Sequence, residues 1–246
     1  KIKSIRGKDL VSNNELFMNY LQNGVEVKFS DNGKIKTDIV NLVDYSAQGV
    51  VNNEFLIVNQ YSMLQNDITK RPDIIVFLNG FPIVVIELKS CSREQTDSSH
   101  AFRQIKNYQH DISNLFTYNC FNIVSDMTNS KLGTITADED RYMEWKSKSG
   151  DYEETKYSNF TTLFEGVFAK DRLLNIIKNL CFPSIDNIFT TNCTITKFSS
   201  FTYCIKNFQV SKLFFCDFYA FFPQKFCGCG LANHTDWQIR GHFRRI

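Results

Sequence analysis

The amino-acid sequence predicts a mixed α/β domain, on three observations. Two near-continuous apolar runs, Ile74 to Leu78 and Ile83 to Ile86, read as strands covered on both faces. Asn79 and Gly80 between them form a strong hairpin signal, so the runs pair antiparallel. Ala101, Ile105, Tyr108 and Ile112 then recur at helical spacing, which predicts a helix from about Ser98 to Ile112.

The remaining elements follow in chain order. Ser12 with Glu15 fits a capping box that opens a short helix through Leu21. Strands are expected near Val25 to Phe29, Lys34 to Tyr45 and Glu54 to Tyr61, ahead of the hairpin. Beyond the central helix, Phe116 to Ser125 and Lys131 to Thr136 read as strands, and Leu163 to Phe168 and Asp171 to Leu180 as helices. Composition then breaks. After residue 180 there is no glutamate, while twelve of the 23 phenylalanines and six of the eight cysteines crowd in. The expected division is therefore a domain over 1–180 and a Cys/Phe-rich tail over 181–246 of uncertain structure.

With 246 residues, 43% hydrophobic and 22% charged, the chain can build a real core. A net charge of +2 excludes neither nucleic acid nor neutral partners, although Lys1, Lys3, Arg6 and Lys8 cluster locally. Asn79, Gly80 and Pro82 interrupt the longest apolar stretch before the roughly 20 residues needed to span a bilayer. With no signal peptide, a cytoplasmic protein without a membrane partner is expected, its cysteines reduced thiols. The chain opens on lysine, so its true start is expected to lie upstream.

Charges placed where burial should exclude them point to chemistry. Asp73 opens the first apolar strand, and Glu87, Leu88 and Lys89 close the second. Alternation along a strand puts Glu87 and Lys89 on one face. A regular two-residue Asn79-Gly80 turn would set Asp73 opposite Ile86 and turn the two carboxylates apart. A shared site therefore requires an irregularity: a three-residue loop with Gly80 left-handed, or a bulge near Pro72.

Such a pair suits phosphodiester hydrolysis, a very slow reaction that needs an electrophile near the phosphate and a nucleophilic water. Asp73 and Glu87 are hard oxygen donors of the type that hold Mg²⁺. Lys89 could orient or help deprotonate the attacking water and offset charge on the phosphate. Gln104 and Tyr108, four residues apart on one helical face, could hold a phosphate or a water, with Arg103 and Lys106 favouring a polyanion. An aspartate with a Glu-x-Lys triplet alone more often marks a solvated strand end, and Tyr108 alone a core residue. The conjunction with a buried hairpin and a following helix argues for a site.

Those residues carry a resemblance. RPDIIVFLNGFPIVVIELK, from Arg71 to Lys89, resembles the PD-(D/E)xK nuclease motif, and Gln104 with Tyr108 resembles its QxxxY element. Val58-Asn59-Gln60, AFRQIKNYQ from Ala101, LFTYN from Leu115 and GTITADEDRYMEWK from Gly133 are similar to one family: the endonuclease domain of the R subunit of type I restriction-modification enzymes. The resemblance spans about residues 10–180. It implies a restriction-endonuclease-like mixed sheet flanked by helices, and Mg²⁺-dependent cleavage of double-stranded DNA beside modification and specificity subunits. It implies Asp73 and Glu87 as metal ligands, Lys89 as the catalytic lysine, and Gln104 and Tyr108 as accessory active-site residues.

The departures are equally specific. The family's first helix, with its acidic residue, is expected to be missing, and Glu15 is a poor substitute in position. No GxxxxGK[ST] phosphate loop occurs, so ATP would act only through a motor domain absent from this chain. A frameshift or truncated gene is one explanation of the tail, a divergent natural segment the other. Two other functions stay open: a catalytically idle fragment acting only in DNA binding or assembly, and a stand-alone recombination or repair nuclease. Cys216, Cys227, Cys229, His234 and His242 form a rival zinc cluster whose spacing fits no familiar knuckle.

Overall fold

A computed structural model describes residues 9–89, 98–126, 129–149 and 160–179, together with residues 2, 5 and 7. The tail beyond 179 lies outside the described residues, as do its zinc candidates and the cluster Lys1, Lys3, Arg6 and Lys8. The element order is α1 (Leu10–Asn23), β1 (Val25–Asp31), β2 (Lys34–Val40), α2 (Gly49–Asn52), β3 (Phe55–Asn59), β4 (Met63–Gln65) and β5 (Ile68–Lys70). There follow β6 (Ile74–Leu78), β7 (Phe81–Leu88), α3 (Ser98–Asp111), α4 (Ser113–Phe116), β8 (Phe121–Ser125), β9 (Ser130–Gly133), β10 (Met143–Glu144), α5 (Phe160–Val167) and α6 (Lys170–Asn179).

Six strands form one mixed sheet in the order β10-β9-β8-β7-β6-β3, with β7 and β8 parallel and the other neighbours antiparallel. A parallel pair needs a crossover, and α3 supplies it. The sheet is covered on both faces, which is why β6 and β7 carry near-continuous apolar runs. One face packs Val76, Val84 and Ile86 against Phe17 and Leu21 of α1, Leu163 of α5 and Leu173 and Ile177 of α6. The other packs Ile75, Val85 and Val124 against Ala101, Ile105 and Tyr108 of α3 and Leu115 and Phe116 of α4. This is the expected mixed sheet flanked by helices.

Several local expectations need correction. The cap of α1 is Asp9, not Ser12: Ser12 donates its backbone amide to Asp9 Oδ1 at 3.0 Å and its hydroxyl to Oδ2 at 2.7 Å. The strand expected from Lys34 to Tyr45 ends at Val40. The one expected from Phe116 begins only at Phe121, because Ser113–Phe116 make a helical turn that buries Leu115 and Phe116. The small hairpin β4-β5 and the short edge strand β10 had no counterpart in the expected elements. The β4-β5 turn uses Asn66 and Asp67, both at positive φ (49° and 63°), as a tight primed turn demands.

Candidate active site

The hairpin register decides whether Asp73 and Glu87 can meet. At the turn the pairs are Leu78↔Phe81 and Phe77↔Pro82, so Asn79 and Gly80 form a two-residue turn, both at positive φ (49° and 81°). The register then shifts by one between Val76 and Phe77, giving Val76↔Val84, Ile75↔Val85 and Ile74↔Ile86. Ile83 is the extra residue. It and its neighbour Val84 pack in the same cluster, which regular alternation would forbid. Continued one residue beyond Ile74↔Ile86, the register sets Asp73 opposite Glu87. The required irregularity exists, but it is a bulge at Ile83, neither a longer loop nor a bulge at Pro72.

Ile75 and Val85 lie on the α3 face, and Asp73 and Glu87, two residues along, share it. Asp73 is 6% and Glu87 4% exposed, so neither is a solvated strand end. Asp73 Oδ2 accepts the Leu88 amide at 3.0 Å, and Oδ1 accepts the Gln60 side-chain amide at 2.7 Å. Lys89 continues the β7-β8 ladder, its amide donating to the Ser125 carbonyl at 2.8 Å. Its ammonium donates to Glu87 Oε1 at 2.8 Å. The group sits at the carboxyl end of β7, where the parallel crossover departs; such strand ends are where open α/β sheets place ligands.

From above, α3 delivers Gln104 and Tyr108. The Tyr108 hydroxyl lies 3.4 Å from the Arg71 carbonyl oxygen and faces Glu87 and Gln104. Burial pushes the phenol well above its ordinary pKa, the negative charges of Glu87 and Asp73 add to this, and the Gln104 amide opposes it. Tyr108 is thus a neutral hydroxyl. The five residues expected from the sequence converge at one end of the sheet. Of the flanking cations, Arg103 is exposed, but Lys106 turns away, donating to the Ile135 carbonyl at 3.1 Å and lying over the Phe102 ring. Gln60 is a site residue the sequence reading did not single out; only its place in Val58-Asn59-Gln60 hinted at it.

The donor set fits Mg²⁺. Two buried carboxylates across adjacent strands are hard oxygen ligands concentrated at one point, the type that ion takes. Among the described residues no group of three or more His, Cys, Asp and Glu is gathered.

Comparison with known proteins gives the site its context. The family model for the N terminus of the type I restriction enzyme R protein matches residues 1–141. The chain belongs to that family. Among relatives of the R-protein N-terminal region, the type I restriction enzyme HindI endonuclease subunit of Haemophilus influenzae is 36% identical over 187 residues, covering 74% of this chain and 18% of that protein. The putative MjaIXP endonuclease subunit of Methanocaldococcus jannaschii is 30% identical over 210 residues, covering 77% and 20%. The chain thus spans about a fifth of the length of these curated relatives. Among the described residues no helix is long and apolar enough to cross a membrane.

Proposed function

We propose that this chain is the endonuclease domain of a type I restriction R subunit, hydrolysing DNA phosphodiester bonds with Mg²⁺ as part of a larger ATP-dependent complex. The bulge at Ile83 carries this reading: it turns two carboxylates otherwise on opposite faces into a facing pair beside a lysine. Asp73 and Glu87 would hold the ion. When bound, Mg²⁺ polarises the phosphate and lowers the pKa of water toward neutrality.

The chain's own groups do the rest. The Leu88 and Gln60 amides keep the Asp73 carboxylate in one orientation. Lys89, at the rim of the pair, orients the attacking water and offsets the negative charge that builds as that water's oxygen bonds phosphorus and the bond to the leaving sugar oxygen breaks, the water's proton passing to solvent and the leaving oxygen taking one from solvent. Gln104 and the neutral Tyr108 hydroxyl hold that water or a phosphate oxygen by hydrogen bonds. Double-stranded DNA, modification and specificity subunits and an ATP-driven motor complete the proposed setting, with the protein acting in the cytoplasm.

The second reading is an idle fragment serving DNA binding or assembly. Incubating the purified chain with linear and circular DNA and Mg²⁺, beside Asp73→Ala and Lys89→Ala, separates the two. Cleavage should fall at least about 100-fold in each variant, the order of loss when a group stabilising the transition state is removed. Cleavage indifferent to both substitutions rejects the site, and binding without cleavage in every version favours the idle fragment.

A further inference from the structure

Gln60 is held more firmly than the end of a strand requires. It lies one residue past β3, and the ladder pair Asn59↔Ile74, continued by one, sets it opposite Asp73. Its φ is 52°, in the left-handed region. A glutamine has no preference for that region, and a side chain there costs energy that neighbouring contacts must offset. Two such contacts go to the same residue. The Gln60 amide nitrogen donates to the Asp73 carbonyl at 2.8 Å, and its side-chain amide donates to Asp73 Oδ1 at 2.7 Å.

The consequence falls on the carboxylate. Leu88 of β7 fixes Oδ2 and Gln60 fixes Oδ1, so two strands on opposite sides of β6 determine the plane of one side chain. The donor's type matters too. A neutral amide orients the carboxylate without adding a second charge beside it.

We propose that Gln60 is a positioning residue: its amide orients the Asp73 carboxylate so that Asp73 and Glu87 together take a divalent cation. This rests on the metal-site reading given above. Mg²⁺ binding to the purified full chain, measured by titration calorimetry without DNA, tests it with Gln60→Met, Gln60→Gly and Asp73→Ala. Methionine keeps the volume and removes the donor. Glycine also removes the donor but suits the positive φ, so its melting temperature without metal should stay level or rise.

Both Gln60 variants should bind Mg²⁺ at least about tenfold more weakly, the usual loss when an outer-shell partner of a ligand is removed. Unchanged affinity in both, beside loss of binding in Asp73→Ala, overturns the positioning role alone. Undiminished binding in Asp73→Ala overturns the metal site itself, and the positioning role with it. A lower melting temperature accompanying the weaker binding in Gln60→Gly would assign Gln60 to the fold and likewise overturn the proposal.

Discussion

Burial decides what each side chain at the end of β7 can do. Tyr108 is 5% exposed and faces two carboxylates, so ionising it would place a third negative charge in a poorly solvated spot. Its pKa is raised, and a raised pKa keeps an acid protonated to higher pH; the phenol therefore donates and accepts hydrogen bonds but does not serve as a base. Tyr108→Phe should slow cleavage about tenfold, or about 1.4 kcal/mol, in line with one lost hydrogen bond, without altering the shape of the pH–rate profile between about pH 6 and 10. A limb of that profile vanishing in the variant would show instead that the phenol titrates during catalysis. Asp73, Glu87 and Lys89 were legible in the sequence because charges ending apolar strands contradict burial, and Gln104 and Tyr108 because four-residue spacing fixes a shared helical face. Gln60 was not. Its role depends on a left-handed backbone at a non-glycine and on a strand register, and neither leaves a pattern in residue type.

At the level of elements, one extra residue in β7 reconciles two requirements. Asn79-Gly80 demands a tight two-residue turn, while the site demands that Asp73 face Glu87, and the two are incompatible in a regular ladder. The conflict was readable from the sequence, but where it is resolved was not. Ile83 is as apolar as its neighbours, and its 0% exposure carries no sign that it is the bulged residue. The Ser12 and Glu15 pattern gave the right helix with the wrong cap, since Asp9 is also a strong capping residue and stands three positions earlier. A different long-range tie holds α1 in place. Asn14, 1% exposed, donates its side-chain amide to the carbonyls of Phe116, Thr117 and Asn119 at 3.0, 3.2 and 2.7 Å, joining α1 to the segment that leads into β8. Asn14→Leu would leave those buried carbonyls without this donor and should cost about 2–3 kcal/mol in urea unfolding. A loss under about 0.5 kcal/mol, typical of an unimportant surface change, would show that the tie is dispensable.

For the molecule as a whole, the open issue is where the domain ends. On one face of the sheet the core is completed by α5 and α6, with Leu173 and Ile177 fully buried, and α6 is tied to α1 by Gln22, whose amide donates to the Ile177 carbonyl at 2.8 Å. On the other face α3 and α4 cover β6, β7 and β8. Among the described residues both sheet faces are thus covered by helices, and a chain of about 180 residues can bury a core sufficient for independent stability. The compositional break falls at 181. We therefore expect a version ending at residue 180 to unfold in a single cooperative transition within about 2–4 °C of the full chain, the shift that about 1 kcal/mol produces at this size. It should also bind Mg²⁺ with the same affinity, since Asp73, Glu87 and Gln60 are all held by residues before 126. Circular dichroism melting and calorimetry on the two lengths check both points. Loss of the cooperative transition in the shorter chain would place part of the core beyond residue 180 and move the boundary; a retained transition with lost metal binding would instead bring the tail into the site.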